Sequence, residues 1–237
     1  TELAATGEPE GREAVLLECY RGRVPNSVFT AALAPPTTEG SSLRRNLRTA
    51  SRMLEAAGWT VQDGKRTDAV TGEAMIIEFL LVAPAFERIV GPVVKNMERL
   101  GIEASIRIVD PAQYQNRVED FDYDVIVGSR GQSLSPGNEQ RNYWTTASAD
   151  IRGSGNLAGV RDAVVDELVN LVIQARDRTG LVAATRALDR VLLSGYYVVP
   201  NWHIRSFRVL YWNKFGHMSA PPKYGLGFPD TWWMIKQ

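Results

Sequence analysis

One cysteine, two histidines and no long apolar run set the first limits on this chain. Cys19 alone closes no internal disulfide, and a single thiol leaves the redox compartment open, because oxidising compartments also hold proteins without disulfides. His203 and His217 lack the HxH, HExxH or CxxC spacings by which metals are bound, so neither a metal nor another cofactor is expected. Nowhere does the chain approach the roughly 18 consecutive apolar residues of a spanning helix. Its first residues, TELAATGEPEGRE, have neither the basic start nor the apolar centre of a signal peptide, so no export signal is expected in the chain. Excess charge is missing too. Lys plus Arg and Asp plus Glu are 27 each, which removes the electrostatic case for nucleic acid as a partner or for an anionic membrane surface.

What is present is an ordinary globular composition, 44% hydrophobic over 237 residues, long enough for one large domain or two small ones. Residues 1–40 read as a surface connecting segment, with one helix near Glu13 to Arg21 and breaks at Pro25, Pro35 and Pro36. Leu43, Leu47, Ala50, Leu54 and Ala57 form one helical stripe that stops at Gly58. Trp59 and Val61 then lead through a polar turn, Asp63 to Gly72, into a buried strand at Ala74 to Val82. A helical period runs from Phe86 to Leu100, with Pro92 as a kink or break and Gly101 as the stop. The alternation Ile102, Ala104, Ile106, Ile108 completes a βαβ unit, whose strands are parallel by topology. Asp110 and Pro111 open a short helix, and Tyr123 to Val127 reads as a third strand. Two helices follow, Asp162 to Arg176 and Leu181 to Ser194, the latter capped by Thr179 and ended by Gly195. Eleven of the 21 aromatic residues lie from Tyr196 onward, where Tyr197 to Trp202 and Arg205 to Trp212 read as strands and Gly216 to Asp230 as an extended tail. The expected fold class is α/β, a mainly parallel central sheet flanked by helices, divided into a connecting segment 1–40, a ligand-binding lobe 41–215 and a tail 216–237.

The functional signal is the stretch YDVIVGSRGQSLSPGNEQRNYW, Tyr123 to Trp144, where a short strand opens into a long polar loop. Loops of this length without a period of their own are functional or disordered, and the flanking aromatics favour order. Arg130, Gln132, Ser133, Ser135, Asn138 and Glu139 supply donors and acceptors, Tyr143 and Trp144 an apolar floor, and Trp202 is a further candidate for the pocket. No residue is assigned to catalysis. The serines lack the GxSxG frame, which leaves a hydrolase pairing Ser133 or Ser135 with His203 as one alternative, and an interaction module built on the aromatic tail as another. Gly153 to Gly159 is spaced GxGxxxG rather than GxGxxG and reads as a turn before a helix; Asp122 and Asp124 mark a strand start.

Several stretches carry a resemblance: TELAATGEPEGREAVLLE at the start, ASRMLEAAGW at Ala50 to Trp59, SPGNEQRNYW followed by GSGNLAG, then VVPNWHIRSFRVLYWNKFG and YGLGFPDTWW. Together they resemble the C-terminal part of family 5 extracellular solute-binding proteins, the peptide-binding components of ABC importers, in the oligopeptide and microcin C-like group. The resemblance implies the C-terminal lobe of a type II periplasmic binding protein, acting in the periplasm. A peptide would lie between this lobe and an N-terminal lobe beyond the chain, and hinge closure would present it to a membrane permease. In many relatives a loop aspartate in a GDP-like segment holds the ligand's ammonium; here the stretch reads SPGNE, leaving Glu139 as the nearest anion and Arg130 as a carboxylate partner.

Overall fold

A computed structural model describes residues 2–31, 34, 37–202, 206–220, 222 and 225–235. In chain order its elements are α1 (Gly11–Glu18), α2 (Leu43–Ala56), β1 (Trp59–Gln62), β2 (Lys65–Asp68), β3 (Ile76–Leu81), α3 (Glu87–Glu98), β4 (Glu103–Ile108), α4 (Pro111–Glu119), β5 (Val125–Ile126), α5 (Glu139–Trp144), α6 (Ala163–Ile173), α7 (Arg178–Ser194), β6 (Phe215–His217) and β7 (Trp232–Met234). Two units divide the chain, Thr1–Val199 and Pro200–Gln237.

In the first unit the central sheet is β4-β3-β5, with both neighbours parallel to β3. The alternating apolar residues of β3 and β4 explain it: Phe79, Leu81 and Ile106 point to one face, where α3 covers them with Val90, Val94 and Met97. Pro92 lies inside α3 without ending it. Gly101 closes the helix at φ +83°, where an added Cβ would sit 3.0 Å from the Arg66 backbone nitrogen.

The stretch expected to be a polar turn, Asp63 to Gly72, instead holds a strand, Lys65–Asp68, between two turns. β1 and β2 pair antiparallel around Asp63 and Gly64, whose φ angles of 49° and 79° suit a two-residue hairpin turn that Asp-Gly adopts readily. Buried Arg66 ties this hairpin down, donating to the carbonyls of Leu100 (2.9 Å) and Trp59 (3.1 Å) and to Ser51 Oγ (3.0 Å).

The larger core is helical. α6 and α7 pack on each other, and α1 packs on α7. Val164, Val165, Leu168, Val169, Leu188 and Val191 meet Leu17, Tyr20, Val24 and Val28, all buried. The segment expected to hug the surface therefore supplies core residues. Its anchor is an ion pair with both side chains hidden, Arg190 Nε to Glu13 Oε1 at 2.8 Å, with Arg190 also donating to the carbonyls of Gly7 and Thr30. α7 starts one turn earlier than its sequence suggests, because Asp177 rather than Thr179 is the cap: its carboxylate accepts the Gly180 N–H at 2.6 Å.

The described residues of the expected strands, 197–202 (shared between the two units) and 206–212, belong to no strand ladder. Part of the expected tail instead forms the antiparallel pair β6-β7, with Tyr211, His217, Phe228 and Trp232 gathered edge to face.

Candidate functional site

The polar loop leaves the parallel sheet at the carboxyl end of β5, the end at which open α/β sheets bind ligands. Expected as loop throughout, it turns helical at its far end, where residues 139–144 form α5. Gln140, absent from the sequence-based candidates, is the hub. It is 3% exposed; its amide donates to Gln132 Oε1 (2.8 Å) and Glu139 Oε1 (3.2 Å), and its own carbonyl oxygen accepts the Trp144 indole N–H at 3.1 Å. Its four-residue spacing from Trp144 was the one legible signal, since residues so placed share a helix face.

Glu139 is engaged with its own helix start. Its Oε1 accepts the Gly137 N–H at 2.9 Å; burial pushes the carboxyl up, but the backbone N–H groups of Gly137 and Glu139 and the Gln140 amide outweigh it and hold the group below the usual carboxylate range. The Ser133 hydroxyl accepts the Ser135 N–H at 3.1 Å, and Gln132, Ser133, Ser135 and Asn138 are exposed. Arg178, at the start of α7, donates to the Leu134 carbonyl at 2.5 Å and pins the loop's outer end.

Arg130 faces the other way, toward the glycine turn. Its Nη2 donates to Gly155 O at 2.9 Å, and its guanidinium lies 4.2 Å from the Trp144 ring centre and 5.5 Å from that of Tyr143. Nη1 is buried without a hydrogen-bond partner, which costs about 1–3 kcal/mol for a polar group. Burial pulls the guanidinium pKa down, while the phenols of Tyr143 and Tyr123 pull it up.

The Gly153 to Gly159 stretch backs this loop. Asn156, fully buried, accepts the Val160 N–H at 2.9 Å and donates to the carbonyls of Thr145 (3.0 Å) and Val160 (2.9 Å). Tyr123 donates to Leu157 O at 2.7 Å. Gly155 carries no side chain because a Cβ would lie 2.5 Å from the Tyr143 ring. The turn is thus a structural support for the site.

Arg130, Gln132, Glu139, Tyr143 and Trp144 are brought into one connected arrangement. Trp202 belongs to the second unit and is exposed. His203 lies outside the described residues; His217 Nε2 is 3.0 Å from Tyr211 Oη and its Nδ1 2.9 Å from the Met218 carbonyl. Among the described residues no group of three or more His, Cys, Asp or Glu is placed to hold a metal ion, and no helix is long and apolar enough to cross a membrane. Asp122 pairs with Arg117 at 2.8 Å and Asp124 accepts the Glu78 N–H at 2.8 Å, both structural roles.

A parallel sheet flanked by helices, with a polar and aromatic loop at its carboxyl edge, defines an α/β lobe of the periplasmic-binding-protein kind. Its fold is shared with the oligopeptide-binding protein AppA of Bacillus subtilis, solved with a nonapeptide: TM-score 0.61, 17% identity, covering 96% of this chain and 46% of that one. The chain belongs to the bacterial extracellular solute-binding proteins, family 5, whose middle region matches residues 12–151. It is 46% identical over 234 residues to the uncharacterized protein y4wM of Sinorhizobium fredii, covering 98% of the chain and 35% of that protein. It is 42% identical over 237 residues to the probable peptide-binding protein YejA of Agrobacterium fabrum, covering 100% of the chain and 39% of that protein. The chain therefore spans little more than a third of the length of these relatives.

Proposed function

We propose that this chain is one lobe of the substrate-binding component of an ABC importer, which takes up peptides in the periplasm and delivers them to a membrane permease. Residues 41–215 carry the ligand-binding lobe, 1–40 its connection and 216–237 a C-terminal tail. The observation that carries the reading is the loop 128–144 at the carboxyl edge of the parallel sheet, ordered from within by Gln140. It forms one wall of a cleft whose other wall is an N-terminal lobe beyond the chain. Arg130, Gln132, Ser133, Ser135, Asn138, Glu139, Tyr143 and Trp144 are the candidate peptide contacts of this wall, and Trp202 is a separate candidate. Family membership and the peptide-binding name of the Agrobacterium relative support the assignment.

Native mass spectrometry of the whole protein, purified from its own periplasm, tests this: a co-purified peptide is the expected result. Turnover of ester or peptide substrates that disappears in Ser133→Ala or Ser135→Ala would replace the binding reading with the hydrolase one. A stable protein partner lost on truncation after Gly216, with no peptide bound, would favour the interaction module.

A further inference from the structure

Residues 131–135 of the loop are all exposed and carry few hydrogen bonds. Gln132 is tied to Gln140 and the Ser135 N–H to Ser133, both close in sequence. Among the described residues, one hydrogen bond joins this stretch to anything beyond the loop and α5: Arg178 Nη1 donates to the Leu134 carbonyl at 2.5 Å. The other edge of the same guanidinium is occupied, since Nε lies 3.0 Å from Glu2 Oε1 and Nη2 donates to that oxygen as well. Residues 2–7 are in turn laid along α7. Arg186 donates to the Glu2 carbonyl (2.7 Å), Asp189 accepts the Ala5 N–H (2.8 Å), and Arg190 donates to the carbonyls of Thr6 (3.3 Å) and Gly7 (3.0 Å). Arg178, Arg186 and Arg190 recur at close to whole helical turns and so line one flank of α7.

We propose that Arg178 is the positioning residue of this loop and that the segment 2–7 sets how firmly it holds. A lone arginine on a surface has many rotamers, and one bond to a carbonyl would restrain a loop little. Glu2 fixes the planar fork at one edge, so the remaining nitrogen is already aimed at Leu134. With the Arg178 side chain 43% exposed, the ion pair is screened by water, and its effect lies in orientation more than in attraction. Glu2 itself is placed by Arg186 and, through Ala5, by Asp189, neither of which is hydrogen-bonded to the loop. Order thus passes from the segment to the loop through one side chain, and by reciprocity an ordered loop steadies the segment. In the two-lobe reading, residues 1–40 connect to the other lobe, so a movement that pulls on residues 2–7 loosens one wall of the cleft. That consequence rests on the reading above, whereas the link through Arg178 stands independently of it.

The test is millisecond amide exchange, read by mass spectrometry on the whole protein with no ligand added. Arg178→Met should speed exchange at residues 131–135 about five- to tenfold. Glu2→Ala and Arg186→Met leave the loop's own bonds in place, yet each should speed its exchange about two- to fivefold while β3 and α6 stay unchanged. In the Arg178→Met background neither should add more than about 1.5-fold, because the link through which they act is already gone. A loop unmoved by both substitutions overturns the proposal. Equal effects in the two backgrounds overturn it as well, since loosening would then reach the loop by another route. Should Arg186→Met also speed exchange in α6, Glu2→Ala, at an exposed carboxylate, decides alone. A co-purified peptide together with an unmoved loop removes this link and leaves peptide binding intact; a coupled loop without any peptide does the reverse.

Discussion

Three buried polar side chains organise the first unit more than any exposed one does. Gln140 couples the loop to the indole of Trp144, so Gln140→Leu leaves that N–H and the Gln132 carbonyl oxygen without their partner. The expected loss is about 1–3 kcal/mol in urea unfolding, with faster hydrogen exchange at residues 131–139. Unchanged exchange there would mean that the loop is ordered by something else. Arg190 and Glu13 form the pair that fastens the N-terminal segment to α7, where removing one partner strands the other charge. Beside them Asp189 is set apart by its pKa: burial pushes it above its ordinary 3.8, against the lowering effects of the Ala5 N–H and Arg190, with Glu13 adding a further push upward. A carboxyl whose folded pKa is raised favours folding while protonated, so its contribution is complete below the unfolded value and is lost as pH rises through the folded one. Asp189→Asn keeps an uncharged acceptor throughout. Its stability relative to the unsubstituted protein should therefore grow as pH rises from about 4 to about 7, read from urea midpoints. A difference independent of pH would refute the burial account.

At the scale of elements, the βαβ unit was legible because each part carries its own signal. Ile102 to Ile108 alternate with period two, Val90, Val94 and Met97 fall on one helical face, and Gly101 marks the stop. Gly101→Ala is the sharpest test of that junction. The positive φ disfavours any side chain, and the Cβ would press on the backbone of Arg66 and Gly64. A loss of about 1–2 kcal/mol or more is expected in thermal or urea unfolding; a neutral variant would show that the hairpin shifts freely there. Elements that depend on a partner were not legible. The two aromatic stretches around Trp202 have the composition of strands, but their described residues join no ladder, since residue preference describes a side chain suited to a sheet and not the presence of a neighbouring strand. The Asp63-Gly64 hairpin was missed because a polar strand such as Lys65–Asp68 hides its period among charged residues, although Asp-Gly is itself a turn signal.

For the whole molecule, the proposed two-lobe clamp predicts that this chain by itself should hold little. The chain on its own is expected to bind peptide more weakly than micromolar, because roughly half the contacts are absent while the ordering of the peptide is still required. Micromolar or tighter binding measured by calorimetry on the isolated chain would contradict the two-lobe reading.

By itself the sequence determined the parallel βαβ arrangement, the helical pair that follows and the position of a polar loop at the end of a strand, because periodicity, glycine stops and chain connectivity are local properties. Tertiary structure decided which polar residues are buried and which face solvent. Arg190 finds Glu13 across 177 positions, Arg66 finds Leu100 across 34, and Arg130 meets Gly155 across 25. Such pairings decide whether a charged or amide side chain is an internal fastener or a binding group, and they exist only once distant segments have been packed together.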